Sequence, residues 1–385
     1  MWLQLKGHEI ALKTARTDNN WFLVNNVEAV ESPSLLIYPD RVDENIRRMV
    51  DIIKDPTRLR PHAKTHKLAE VASRQMAAGI SKFKSATIAE AEMLGRAGAP
   101  DVLLAYQPVG PNAYRFINLV QTFPQTVFSC LLDDLQVARE LSKLAVQSGT
   151  TVNVLLDLDC GQHRTGIAPG ADAVELYQEF CRLPGLRPAG LHAYDGHINS
   201  SDPIERTRKC ESAFGAVAAT REQLRALGAP GELLVCGGTP TFPIHAQRQD
   251  VECSPGTSVL WDYSYSSRLV DLDFLHAALV LTRIVSKPAS RRLCLDLGHK
   301  AIASENPHPR VHFLNAPSLH AVSHSEEHLV VETDSETDLK VGDCLYGIPS
   351  HICPTVALYS EAVVIEAGNA SAKWRIEARS RHLSI

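Results

Sequence analysis

From about residue 34 the chain alternates short apolar runs with segments of helical spacing. Apolar or β-branched runs predict strands over 34–38, 58–64, 82–86, 102–106, 127–132, 152–158, 188–194 and 233–236. Between them, apolar residues recurring every three to four positions predict helices over 42–53, 68–77, 88–97, 135–148, 171–183 and 204–227. Strands that each lead into a helical pattern read as a (β/α)8 TIM-type barrel, an α/β fold. A doubly wound open sheet fits less well, because no GxGxxG follows a first strand.

After about residue 268 the texture changes. Short β-rich runs over 276–285, 292–297, 310–314, 328–332 and 362–365 are punctuated by Gly298, Pro317 and Gly342 and predict a C-terminal all-β domain. Residues 1–28 are also β-like and have no place in the barrel count. The expected division is therefore a barrel over 29–267 and a β domain made of 1–28 with 268–385.

Composition narrows the class. A chain of 385 residues with 44% hydrophobic content can bury a large core in two domains. A net charge of −5 without a basic stripe argues against nucleic acid as a partner. No apolar run approaches the roughly 20 residues of a membrane span, and the first residues lack a signal-peptide core. Nine irregularly spaced cysteines, with no CxxC, predict reduced thiols and a cytoplasmic setting.

Five stretches could carry chemistry. Arg60-Pro61-His62-Ala63-Lys64-Thr65-His66-Lys67 packs two histidines and two lysines into eight residues at a strand-to-helix junction. Barrels keep their active groups at such junctions. An amine must be neutral to attack a carbonyl, and burial or neighbouring cations favour that state; His62, His66 and Lys67 could supply them. A solvated basic face is the plainer account of the same residues.

Cys236-Gly237-Gly238-Thr239-Pro240-Thr241, after what reads as the last barrel strand, could form a nest of backbone N–H groups for an anion, or simply a tight turn capping a helix. Arg164, in Asp157–Gly166 after the sixth predicted strand, could hold an anionic oxygen or pair with Asp157 or Asp159. At the end of the seventh, Tyr194 could lie against a planar ring and His197 could act as an acid or base; core packing and capping are their alternatives. His351 and Cys353, two residues apart on a segment read as extended, would share one face and offer an imidazole and a thiolate to zinc or a similar ion.

Together and in this order, RPHAKTHK, DLDCGQHRTG, GGTPT and PSHICPT resemble the metal-activated D-threonine aldolase and D-serine dehydratase family, pyridoxal-phosphate enzymes of the alanine-racemase fold (fold type III). The resemblance covers nearly the whole chain. It implies that Lys64 holds the cofactor covalently, that Arg164, Tyr194, Gly237, Gly238 and Thr239 bind it, and that His351 and Cys353 bind a divalent metal. Zinc is expected first, with manganese or magnesium as alternatives. His197 or His62 would serve as the catalytic base of a retro-aldol cleavage, and Lys64 would be the base in a dehydration. The expected substrate is a small D-3-hydroxy amino acid and the expected assembly a homodimer. D-threonine aldolase is the leading activity; D-serine or D-3-hydroxyaspartate dehydratase is the alternative, since an HxC pair resembles the dehydratases. An amino-acid racemase using Tyr346 as its second base comes third.

Overall fold

A computed structural model describes residues 20–385. Seven parallel strands follow one another around a sheet: Lys82–Ser85, Asp101–Leu104, Val127–Leu132, Val152–Leu158, Leu186–Ala193, Leu233–Cys236 and Glu252–Cys253. Residues 59–62 close the ring between the last and the first. Leu59 bridges Cys253, His62 bridges Lys84, and both bridges are parallel. Arg60 N donates to Cys253 O at 2.8 Å, His62 N to Pro255 O at 3.0 Å, and Lys84 N to Pro61 O at 2.9 Å. Pro61 has no N–H to give, so this first staff, which closes the barrel, is held by separate bridges and not by a continuous ladder.

Two strand assignments from the sequence are corrected here. The run at 34–38 is not the first barrel strand. Ser34–Ile37 lies in the second sheet, antiparallel to Ala278–Ala289 and parallel to Glu361–Glu366. Leu35, Leu36 and Ile37 are all fully buried, so the run shows no alternation that could reveal its sheet. The strand that replaces it in the barrel is Glu252–Cys253, two residues long and without an apolar run to announce it. The glycine loop consequently follows the seventh barrel position and the Arg164 loop the fifth.

The predicted helices form as Pro39–Ile53, Ala69–Ala77, Ile88–Arg96, Leu135–Gln147, Ala171–Arg182 and Pro203–Ala226. Helix Pro39–Ile53 has Pro39 in its first turn and buries Val42, Ile46, Met49 and Ile53 at helical spacing against the barrel.

The second sheet is mostly antiparallel. Its strands run in the order His320–His324, Leu329–Glu332, Arg292–Leu295, Ala278–Ala289, Ser34–Ile37, Glu361–Glu366, Asn369–Arg375, with Cys344–Pro349 and Val311–Phe313 branching from Ala278–Ala289. Phe22 and Val24 pack into its core beside Tyr38, Leu279 and Tyr346. Residues 1–19 of the N-terminal stretch predicted to join this domain lie outside the described residues.

Arg60, the first residue of the octapeptide, is part of the frame. It is 1% exposed and donates to Asp101 at 2.6 Å and Glu252 at 2.8 Å, while Lys82 also pairs with Glu252. These groups sit on neighbouring staves below the level of Lys64, where barrels build stability and not chemistry.

Candidate active site

Lys64 lies in a single 3-10 turn, Ala63–Thr65, directly after the staff formed by 59–62. His62 caps that turn, its Nδ1 accepting from Lys64 N at 3.4 Å. Lys64 and His62 line two adjoining cavities. One, of about 280 Å³, is completed by Lys84, Tyr106, Asp157, Arg164, His192 and Tyr194. The other, of about 690 Å³, extends to Gly238, Thr239, Ser254, Glu305, His351, Cys353 and Arg381.

Tyr194 separates and joins them. Its ring centroid is 5.9 Å from Lys64 Nζ, 5.3 Å from Lys84 Nζ and 5.1 Å from Arg164 Cζ. The ring lies so close over Gly238 that a Cβ there would fall 2.9 Å from Tyr194 Cε2. Gly238 is thus fixed by the ring. The preceding Gly237 has φ +76°, and its N–H donates to Ala193 O in the barrel.

The electrostatic surroundings of Lys64 differ from the sequence expectation. Lys67 is paired with the fully buried Glu90. His66 is buried, accepts from Leu68 N at 3.1 Å, and is pulled by burial down to about 3, so it stays neutral. Burial, with Lys64 and Lys84 adding, likewise holds His62 well below the ordinary imidazole range. The cations that face Lys64 across the cavity are Lys84 and Arg164. Asp157 is held below the usual carboxylate range in spite of its burial, by His192 at 2.6 Å and the Thr165 hydroxyl at 2.9 Å.

Beneath the glycine loop lies a buried network. Asp195 accepts from Thr241 Oγ1 at 2.7 Å and pairs with His245 Nε2 at 2.8 Å; Cys210 Sγ is 3.4 Å from the same nitrogen. Among the described residues Asp195, Cys210 and His245 are the one group of three or more His, Cys, Asp or Glu side chains whose ligand atoms lie within 4.8 Å of one another. Arg248 donates to His245 Nδ1 at 3.3 Å, which leaves the ring proton on Nε2, aimed at Asp195. The network is therefore satisfied without an ion, and it props Thr241, whose hydroxyl accepts from Gly238 N at 3.3 Å.

The HxC pair does not share one extended segment. His351 is the extended N-cap of a short helix, Ile352–Val356, and Cys353 is inside it. Both side chains still border the larger cavity. His351 Nδ1 is 2.5 Å from Glu305 Oε1, and Cys353 Sγ donates to Thr65 Oγ1 at 3.3 Å, one residue from Lys64. Burial pulls His351 down, but the Cys353 sulfur and Glu305 outweigh it and raise the imidazole to about 9. Burial would raise the Cys353 thiol, yet His351 holds it below its ordinary value.

His197 is exposed and stands over Gly161, where a Cβ would be 3.1 Å from its Nε2; it lines neither cavity. Tyr346 is buried in the β-sheet core, its hydroxyl accepting from Val24 N at 3.3 Å. Among the cavity-wall residues that escaped the sequence reading are Lys84, Glu305 and Arg381. Lys84 sits in a KFKS strand whose alternation alone could have placed it inward. Glu305 and Arg381 carry no local signal. Arg381 is brought to the rim because Ser384 and Ile385 bond the buried Glu92 carboxylate, with Ser384 N donating at 2.9 Å.

The comparisons with known proteins fit this arrangement. Residues 37–263 match the family described as alanine racemase, N-terminal domain, and residues 277–365 the putative serine dehydratase domain. The chain belongs to the D-threonine aldolase and D-serine dehydratase family. It is 30% identical to a D-threonine aldolase of an Arthrobacter species over 91% of this chain and 93% of that one. It is 26% identical to the D-threo-3-hydroxyaspartate dehydratase of Delftia sp. (strain HT23), over 90% and 97%. The crystal structure of D-threonine aldolase from Filomicrobium marinum superposes with a TM-score of 0.85 at 28% identity, covering 91% of this chain and 95% of that one. Such relatives are lyases, and enzymes of the alanine-racemase fold use pyridoxal phosphate.

The residues present fit that cofactor. A half-buried lysine, an aromatic face and two further cations surround the smaller cavity. At the glycine-loop end, Ser254 Oγ is buried without a hydrogen-bond partner, an open donor beside Gly238 and Thr239. His351 and Cys353 offer the nitrogen and sulfur donors that suit a borderline-soft divalent ion. With Glu305 accepting from Nδ1, Nε2 is the ring nitrogen left to bind it.

Proposed function

We propose that this protein is a pyridoxal-phosphate- and divalent-metal-dependent lyase of D-3-hydroxy amino acids, with retro-aldol cleavage of D-threonine to glycine and an aldehyde as its leading activity. One observation carries the reading: Lys64 and the His351–Cys353 pair border the same cavity of about 690 Å³. A substrate whose amine lies at the Lys64 end of this cavity could therefore present its β-hydroxyl to a metal at the His351–Cys353 pair.

In this reading Lys64 anchors the cofactor, Tyr194 backs its ring, Arg164 faces its anionic oxygen, and Gly237, Gly238 and Thr239 with Ser254 form the phosphate end. The cofactor supplies an electron sink and the metal a Lewis acid, zinc before manganese or magnesium. His62 borders both cavities and is held neutral, with Nδ1, which accepts from Lys64 N at 3.4 Å, as the nitrogen that would take the proton. It therefore replaces His197 as the favoured base for the hydroxyl proton.

Dehydration of D-serine or D-3-hydroxyaspartate is the second reading. It is favoured by the thiol at Cys353, a ligand pair that resembles the dehydratases. Racemisation is disfavoured by the position of Tyr346 in the β core. The deciding experiment incubates the protein with pyridoxal phosphate, zinc or manganese, and D-threonine, D-serine or D-3-hydroxyaspartate in turn. Glycine with an aldehyde supports the aldolase, and a 2-keto acid with ammonia the dehydratase. Neither product with any metal overturns the lyase reading.

A homodimer in the cytoplasm is the expected setting. The nine unpaired cysteines agree with a reducing compartment, and light scattering of the purified protein tests the assembly.

A further inference from the structure

Lys84 is assigned no role by its sequence neighbourhood or by the family resemblance, yet it stands in the wall of the Lys64 cavity. It is 3% exposed on strand Lys82–Ser85. Two residues earlier on the same strand, Lys82 has Glu252 as its counter-ion. Lys84 Nζ has no ion-pair or hydrogen-bond partner among the described residues, and what it meets is the Tyr194 ring, 5.3 Å to the centroid. Lys64 and Arg164 approach that ring too, at 5.9 and 5.1 Å. The one carboxylate of this wall, Asp157, is already committed to His192 and Thr165.

A buried ammonium without a counter-charge is expensive, and one aromatic ring approached by three cations offsets little of that cost. Either the amine sheds its proton or an anion enters. Burial first, then Lys64, lowers Lys84 to about 7; Arg164 adds to this, while Asp157 and Cys236 oppose it. Near neutral pH, an arriving anion therefore decides the charge of Lys84.

We propose that Lys84 is a cofactor-contacting residue that shares with Arg164 the anionic ring oxygen of bound pyridoxal phosphate. The assignment rests on the cofactor reading above. The same chemistry, an oxygen anion on a planar group, could come from the carboxylate of an amino-acid substrate, so the test keeps the two sources apart.

The full chain is stripped of cofactor and reloaded without amino acid, as wild type, Lys84→Met and Lys84→Arg. Lys84→Met should bind pyridoxal phosphate roughly ten- to a hundredfold more weakly, the loss of one charge-assisted hydrogen bond. The pH midpoint of its visible absorbance should rise by about one unit, because one cation fewer opposes protonation nearby. Lys84→Arg should stay close to wild type in both. Without cofactor, Lys84→Met should unfold at the same temperature as wild type or higher, since it removes an unpaired charge; a drop would mark Lys84 as structural and overturn the proposal. Wild-type affinity and midpoint in Lys84→Met also overturn it, as does an effect seen only when a D-amino acid is added. If no variant, wild type included, develops a visible band, the cofactor reading itself has failed.

Discussion

The barrel wall, around the smaller cavity, carries Lys64, Lys84 and Arg164, none of them ion-paired among the described residues. The second wall, in the adjoining larger cavity, carries His351, Cys353 and Glu305, which already bond to one another or to Thr65. One wall is ready for an anion and the other for a cation. The walls also differ in support. The cationic groups stand on or just after barrel staves locked by parallel bridges, whereas the His351–Cys353 pair sits in a short helix at the end of strand Cys344–Pro349. Thr65 is where they touch, which couples the Lys64 turn to the His351–Cys353 pair.

Removing the key cation should break the asymmetry most severely. Lys64→Ala is expected to cost on the order of 10³-fold or more in turnover and to abolish the visible cofactor band; an intact band would remove Lys64 from the site. Next comes the frame under the cationic wall. Arg60→Leu leaves Asp101 unanswered and Glu252 half-answered, and should cost about 3–5 kcal/mol of stability, read by urea unfolding. A cost below about 1 kcal/mol would show that Lys82 suffices to hold this end of the barrel.

The opposite wall should respond more mildly. If His351 and Cys353 hold a metal as proposed, Glu305→Gln keeps both donors but loses the carboxylate behind His351, so metal affinity should fall roughly ten- to a hundredfold, measured by competition with a chelator. The smallest effect concerns pH. His66 is held near 3 in the folded chain, below the ordinary imidazole value. A depressed folded value means that the stability it contributes is present at pH 7 and is lost as the unfolded chain takes up a proton below about 6.5. From pH 6.5 to 5 that loss is about 2 kcal/mol. A His66→Gln variant should show a correspondingly shallower fall in unfolding free energy over this range, and equal slopes would refute the assignment.

Much of this arrangement was legible beforehand where a local pattern carried it. The helices announced themselves by spacing, and Lys64, Tyr194, Gly238 and His351 stood out because their motifs are unusual in order as well as in kind. Position within the barrel was less legible. The run at 34–38 is apolar on both faces and could belong to either sheet, and the true eighth stave is two residues long. Lys84, Glu305 and Arg381 were missed for a related reason. Glu305 and Arg381 reach the cavity through partners far away in sequence, Glu305 through His351 and Arg381 through the bonds of Ser384 and Ile385 to Glu92, while Lys84 is placed there by the barrel that its short strand joins.

The sequence by itself determined the alternation of strands and helices, the change to β-rich texture after residue 268, and the residue types able to hold a cofactor and a metal. Those follow from periodicity and side-chain chemistry, which are local. The tertiary structure alone decided which cations remain unpaired. Lys67 and Arg60 looked as available as Lys64, but Glu90, Asp101 and Glu252 neutralise them across the fold. Lys64, Lys84 and Arg164 are left facing one ring, because counter-charges are assigned by distance in space and not along the chain.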